Sequence, residues 1–259
     1  MIWIYGAIQV RAAWKLKVSL RRVGVMSLIT HLFGTQANPI LNSTVTTGLN
    51  KYRALFLSDL HLGSYNCKAD RLVKFLINND AERIYLVGDI IEGNHLKHWP
   101  KYHDQVVKIL FDKSLNGTEI VYIPGNHDSL FRYHYGTYGN LQIVKNYTHI
   151  CLDGSLLFVT HGDETDILPN YLWLPFITLL ERLTKLGLWE LVRRFLSRYI
   201  EHHTKKFEFK MRKLGHLNIL CGHIHCPKLS DHYKNCGDFT HHCTAIAETV
   251  DGKFELLKG

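Results

Sequence analysis

The stretch "LFLSDLHLGSYNCKAD", residues 55–70, starts as an apolar run and then changes character. Leu55, Phe56 and Leu57 are apolar at consecutive positions, the pattern of a strand buried on both faces. Asp59 and His61 follow at once, and neither serves a core. Two polar residues cannot make a site alone, so their partners must come from the ends of other strands.

From residue 52 onward, short apolar runs alternate with amphipathic segments. Arg53–Ser58, Arg83–Gly88, Glu119–Pro124, Ser155–Thr160 and Leu217–Gly222 read as strands, and Asp70–Asn79 and His103–Asn116 as helices. In the second helix Val106, Val107, Leu110, Phe111 and Leu115 recur at near-helical spacing. This alternation predicts an α/β domain over residues 52–259. The tail "CTAIAETVDGKFELLK" reads as a hairpin turning at Asp251-Gly252.

What stands at the ends of those strands is consistent. The first ends in Asp59-Leu60-His61, and the second in "GDIIEG", which supplies Asp89. The third ends in "PGNHDS", with Asn126, His127 and Asp128; the fourth in "THGDE", with His161. The fifth ends in "CGHIHC", with His223 and His225. Ligands of open α/β sheets bind beyond the carboxyl ends of strands, so Asp59 and His61 are one corner of a shared site. Two Asp, one Asn and four His offer oxygen and imidazole ligands, a mixture suited to Mn²⁺, Fe or Zn²⁺. Seven ligands exceed one tetrahedral ion and suit two divalent ions about 3.5–4 Å apart with a bridging carboxylate. In DxH and HxH, an extended chain would point residues i and i+2 the same way. The glycines before Asp89, Asn126 and His223 allow tight turns and close backbone approach.

The bulk numbers restrict the alternatives. With 46% hydrophobic and 21% charged residues among 259, the chain is of globular type. The formal charge of +8 is uneven: residues 1–58 carry seven Lys/Arg and no acid, leaving 24 of the 31 bases against all 23 acids in the rest. A near-neutral body without an interleaved basic and aromatic groove argues against general nucleic-acid binding. Residues 1–51 read as a basic arm and linker, with three readings open: a membrane-surface arm, a transit-like segment, or an extension preceding a start at Met26. Six cysteines without a CxxC suit a reduced, cytoplasmic chain. No run reaches about 18 apolar residues, so no membrane-spanning helix is expected.

Residues 163–216 form a segment of another kind, read as a helical insertion. Leu188, Leu191, Val192, Phe195, Leu196 and Tyr199 make one apolar stripe, with Arg193, Arg194, Ser197 and Arg198 facing away. Such a surface shelters acyl chains and attracts phosphates or anionic head groups. The segment is expected to be a lid admitting an amphiphilic phosphate at a membrane surface, with Arg193 and Arg194 touching substrate. The alternative is a plain helical hairpin with a solvated basic face.

The five blocks together resemble the calcineurin-like metallophosphoesterase superfamily, whose pattern DxH…GDxx(D/E)…GNH(D/E)…H…GHxH is matched over residues 53–257. The resemblance implies two packed mixed sheets flanked by helices. It implies one metal on Asp59, His61, Asp89 and His225, and another on Asp89, Asn126, His161 and His223, with Asp89 bridging. His127 would protonate or stabilise the leaving oxygen; Asp128 would orient its imidazole, stabilise its cationic form, or cap a turn. "SDLHLGSYNCKAD", "YLVGDIIEG", "VYIPGNHD", "FVTHGDETD" and "YKNCGDFTHHCTAIAETVDGKFEL" look like the UDP-2,3-diacylglucosamine pyrophosphohydrolase group, which acts on a lipid-linked nucleotide in lipid A synthesis. Members established in that pathway commonly carry Arg where this chain has His127; a sister group carries His. "GDIIEGN" lacks the Arg that Ser/Thr protein phosphatases carry there, and a non-catalytic scaffold would show eroded ligands where none is missing. Competing with a pyrophosphohydrolase is a phosphodiesterase of other small phosphodiesters.

Overall fold

In a computed structural model of the chain, residues 50–92, 99–128, 130–165, 179, 183 and 187–259 are described. Most of the basic arm, and residues 166–178 of the insertion, lie outside them.

The elements in chain order are β1 (Asn50–Leu57), α1 (Ala69–Asn78), β2 (Asn79–Val87), α2 (Lys101–Leu115), β3 (Glu119–Ile123), β4 (Gly136–Tyr138), β5 (Leu141–Ile143), β6 (Tyr147–Ile150) and β7 (Leu156–Val159). They continue with α3 (Trp189–Lys213), β8 (Ile219–Cys221), β9 (Lys228–Leu229), β10 (Tyr233–Asn235), β11 (Thr244–Thr249) and β12 (Phe254–Lys258). One sheet runs β12-β11-β1-β2-β3-β5-β4 and the other β6-β7-β8-β10-β9. Both are mixed: β1, β2, β3 and β5 are parallel, as are β7, β8 and β10, with antiparallel strands at the edges. The fold is the α/β sandwich that the strand–helix alternation and the five blocks led one to expect.

The apolar run of β1 is explained by burial on both sides. Ala54 and Phe56 face the second sheet with Tyr85, Val87, Val121, Ile123, Leu157, Val159 and Leu220. Leu55 and Leu57 face the helical layer, where Leu72, Phe75 and Leu76 of α1 and Val106 and Leu110 of α2 pack. Burying such side chains stabilises the fold by about 1.5–3 kcal/mol each. Phe56 stacks on Tyr85 with centroids 4.6 Å apart, joining neighbouring strands on the inner face.

Two stretches differ from the sequence reading. Helix α1 gives way at Asn79, whose side-chain amide donates to the Phe75 carbonyl at 2.8 Å. The next residues are already strand, so β2 begins four positions before the expected Arg83. "NDAE" has no apolar run to announce it, yet it pairs in parallel with Asn50–Tyr52. The second stretch is the insertion. Of the expected apolar stripe on α3, Val192 is buried, whereas Leu188, Leu191 and Phe195 are exposed. The helix docks instead through His203, Thr204, Phe207 and Met211, the last two packing on Ile219, Cys221 and Tyr233. The second sheet meets α3 about two turns beyond the stripe. Among the described residues, no helix is long and apolar enough to cross a membrane.

Candidate metal centre

The carboxyl ends of β1, β2, β3, β7 and β8 converge, and each delivers its polar residues to one place. Pairing continues past the strand ends: the backbone N–H of Asp59 donates to the Gly88 carbonyl at 2.9 Å, and that of His61 to the Asp89 carbonyl at 2.9 Å. Across the second sheet the Gly222 N–H donates to the His161 carbonyl at 3.0 Å.

The backbone there is not extended. Asp59, His61, Asp89, His223 and His225 have φ of 53°, 48°, 52°, 69° and 51°. Only one other non-glycine among the described residues, Cys243, has positive φ. The period-two argument for DxH and HxH is therefore replaced: left-handed turns, not an extended chain, aim both side chains inward. Asp and His tolerate this region better than most residues, but five such turns still cost on the order of 1 kcal/mol each. Strain gathered on these residues, rather than spread over loops, is a functional signature.

The glycines serve mainly close approach. A Cβ on Gly222 would overlap Ser58 Oγ and the Asp59 carboxylate, and one on Gly125 would overlap the Asp89 carboxylate. Neither has a left-handed φ, so absence of a side chain, not a turn, is what the site needs there.

Three groups of ligand atoms result here: Asp59, His61 and His225; Asp89, His161 and His223; and His61, Glu92 and His127, each with its atoms within 4.8 Å of one another. Within them His225 Nε2 lies 3.1 Å from Asp59 Oδ1, and His61 Nε2 lies 3.4 Å from His225 Nε2. His161 Nε2 lies 3.4 Å from Asp89 Oδ2 and 3.2 Å from Asn126 Oδ1. Ligands bound at about 2.1 Å and separated by 90–110° at the ion sit about 3.0–3.4 Å apart, which matches these spacings. Asp89 Oδ1 accepts the His127 backbone N–H at 2.8 Å, leaving Oδ2 to face the first two groups, 4.0 Å from His61 Nε2.

The donor set fits metal ions. Asp59 Oδ2 accepts from the Ser58 hydroxyl at 2.5 Å and the His223 N–H at 2.8 Å, while the buried Oδ1 has the His225 imidazole against it at 3.1 Å. Two carboxylates, Asp59 and Asp89, buried among imidazoles are costly unless positive charge meets them. The imidazoles are oriented for coordination from behind. His161 Nδ1 faces the Val87 carbonyl at 3.0 Å and His61 Nδ1 the Glu92 carboxylate at 3.1 Å, so each turns Nε2 into the cluster. Thr240 Oγ1 and Asp238 Oδ2 lie 3.5 Å and 3.8 Å behind His225 Nδ1. Burial pushes the Asp89 carboxyl up, but His161, His127 and His61 outweigh it and hold it well below the carboxylate range. Burial likewise lowers His161, and Asp89 and Asp59 override that to raise it well above an ordinary histidine. The site is electrostatically built for positive charge.

Glu92, absent from the site residues expected from the sequence, joins the cluster. Its Oε2 lies 2.8 Å from His127 Nδ1 and 3.1 Å from His61 Nδ1. Glu92, and then Asp89, raise the His127 imidazole to about 9 against burial. The signal was present as the acid three residues after Asp89 in "GDIIEG". Asp128 makes its contacts beneath the site and adds to the charge that favours a cationic His127. Its buried carboxylate accepts from the N–H groups of Gly125, Ile90 and Ile91 and from the Tyr122 hydroxyl. It therefore pins the loops after β2 and β3 together, the capping alternative, and Glu92 is the carboxylate facing the His127 ring. Arg193 and Arg194 lie exposed on α3. Another triad, His149, Cys151 and Glu248, sits in the core, where His149 bridges the Tyr85 hydroxyl and Glu248 at 2.8 Å each.

Comparison with known proteins gives the family. A protein from Wigglesworthia glossinidia brevipalpis named UDP-2,3-diacylglucosamine hydrolase is 25% identical over 201 residues, covering 68% of this chain and 80% of its own. One of the same name from Aliivibrio fischeri is 31% identical over 119 residues, 42% of this chain and 47% of its own. A solved structure of a protein of unknown function from Aquifex aeolicus aligns at 14% identity with a TM-score of 0.39, over 80% of this chain and 96% of its own. The family model for calcineurin-like phosphoesterases matches residues 52–227, a span containing every strand end described above, and the chain belongs to that family of metal-dependent phosphohydrolases.

Proposed function

We propose that this enzyme cleaves the pyrophosphate bond of a nucleotide-linked lipid of the UDP-2,3-diacylglucosamine type, releasing UMP and a lipid monophosphate. The observation that carries the chemistry is the convergence of two ligand groups on Asp89 Oδ2, with His127 beside them. The substrate class is supported by the names of the two curated relatives and by exposed apolar side chains beside bases on α3.

In this reading Asp59, His61, Asp89 and His225 hold one divalent ion, and Asp89, Asn126, His161 and His223 the other. Mn²⁺ is the first choice for both, and the donors also suit Fe or Zn²⁺. When bound, the ions polarise phosphoryl oxygens and lower the pKa of a water. Asn126 contributes a neutral oxygen, limiting negative charge where an anionic substrate must approach. His127, held charged by Glu92, donates a proton to the leaving oxygen. Asp128 keeps the two loops in register and touches no substrate. The exposed apolar side chains of α3, with Arg194 and Arg198 alongside and Arg193 on the flank, form the side that meets acyl chains and an anionic membrane surface. The protein works in the cytoplasm, in peripheral contact with the inner face of the membrane.

A second reading, hydrolysis of another small phosphodiester, is favoured by His127 at the position where lipid A enzymes commonly have Arg. A panel with Mn²⁺ supplied separates the two. UMP release from UDP-2,3-diacylglucosamine is expected to exceed that from unacylated nucleotide sugars by at least about tenfold in kcat/KM, since acyl binding adds to transition-state stabilisation. Equal rates on both, or turnover of cyclic nucleotides and aryl diesters alone, would transfer the assignment to the second reading.

A further inference from the structure

We propose that α3 is part of the metal centre, and that His203 positions His223 for the ion it shares with Asp89, Asn126 and His161. The inference rests on the dinuclear reading above.

The C-terminal half of α3 grips the loop that follows β7 and carries His161. Lys210 Nζ donates to the Glu164 carbonyl at 2.7 Å, and Lys206 Nζ to the Thr165 carbonyl at 3.4 Å. Glu164 in turn accepts the Thr160 hydroxyl at 2.5 Å, next to His161. His203 is buried on the same face of α3, its Nε2 3.3 Å from Thr165 Oγ1. Its ring lies 5.6 Å from that of His223, tilted 46°, and the His223 ring lies 5.0 Å from that of His161. Three imidazoles thus run in series from the helix to the Asp89 carboxylate.

The other half of the centre takes its support elsewhere. His61 is backed by Glu92, and His225 by Thr240 and Asp238. His223 sits on left-handed backbone, at φ 69°, where ring direction depends on what packs against it. A histidine tethered to Thr165 gives it a wall of fixed plane. Helix α3 then does two jobs: its N-terminal half exposes Leu191 and Phe195, and its C-terminal half, buried at His203, Phe207 and Met211, sets one metal half-site.

Partners behind a metal-ligating histidine are worth about 10–100-fold in affinity. The test titrates Mn²⁺ into metal-free protein and counts free ion by electron paramagnetic resonance. Wild type is expected to bind two ions. His203→Ala should weaken one of them about 10–100-fold and leave the other unchanged. His203→Phe, which keeps the ring facing His223, should recover most of the loss; His203→Gln, which keeps only a tether to Thr165, should not. In activity, the Ala variant should need more Mn²⁺ for half-activation and reach the wild-type kcat at saturation, a split that general loosening of the fold would not produce. Two unaltered sites, or equal weakening of both, would overturn the role of His203. Failure of wild type to bind two ions would refute the dinuclear reading instead. If the Ala variant does not fold, equal affinities in the Phe and Gln variants would overturn the inference.

Discussion

His127 lies with Nδ1 2.8 Å from Glu92 and Nε2 3.8 Å from Asp89, more exposed than any of the carboxylates around it. An imidazole lifted to about 9 is charged at neutral pH and can give a proton to a leaving oxygen. A cation held by Asp89 would oppose that charge and lower the value, easing release of the proton. His127→Ala should therefore keep its metal content, measured by elemental analysis, and lose about 10²–10⁴ in kcat on a substrate with a poor leaving group. Unchanged turnover would remove His127 from the mechanism. The residues legible in the sequence were those whose spacing is itself a sign: Asp59 with His61, Asn126 with His127, His223 with His225. Asp238 and Thr240 were not, because their roles arise only where loops distant in sequence meet; Glu92 was visible as the acid of "GDIIEG", but its contact with His127 was not. The left-handed backbone at Asp59 and His61 was invisible for a related reason, since neither residue type announces it as glycine does.

Strands buried on both faces were readable as apolar runs, which is why β1, β2, β3, β7 and β8 were expected. β10 was not, because Tyr233, Lys234 and Asn235 are all buried although two of the three are polar. The Asn235 amide donates to the Gly222 carbonyl at 2.7 Å, and Lys234 Nζ to Asn218 at 2.9 Å. Specific partners, which no periodicity reveals, make that strand possible. Helix α3 shows the converse: a real apolar stripe of which Val192 is buried but Leu188, Leu191 and Phe195 are not. Leu191 and Phe195 are 60% and 46% exposed, and Arg194 and Arg198 stand beside them. An amphipathic basic surface of this kind binds anionic membranes. The protein should sediment with phosphatidylglycerol vesicles and not with phosphatidylcholine ones. Inserting one such side chain contributes about 1.5–3 kcal/mol, so the double change Leu191→Glu with Phe195→Glu should reduce sedimentation at least about tenfold. Equal sedimentation of variant and wild type would end the membrane role of α3.

At the scale of the molecule, the sandwich explains why ligands far apart in sequence can meet. Parallel strands in both sheets bring their carboxyl ends to one rim, and the apolar layer between the sheets holds the rim in place. Buried carboxylates and left-handed turns at that rim cost stability, which the core offsets. The claim on which the function depends is that this rim grips two cations through one shared oxygen of Asp89. Crystals grown with Mn²⁺, with an anomalous-difference map calculated at the rim, test it most directly. The account predicts two peaks about 3.5–4 Å apart, one against Asp59, His61 and His225, the other against Asn126, His161 and His223, with Asp89 Oδ2 between them. A single peak, or two peaks without Asp89 between them, would contradict it.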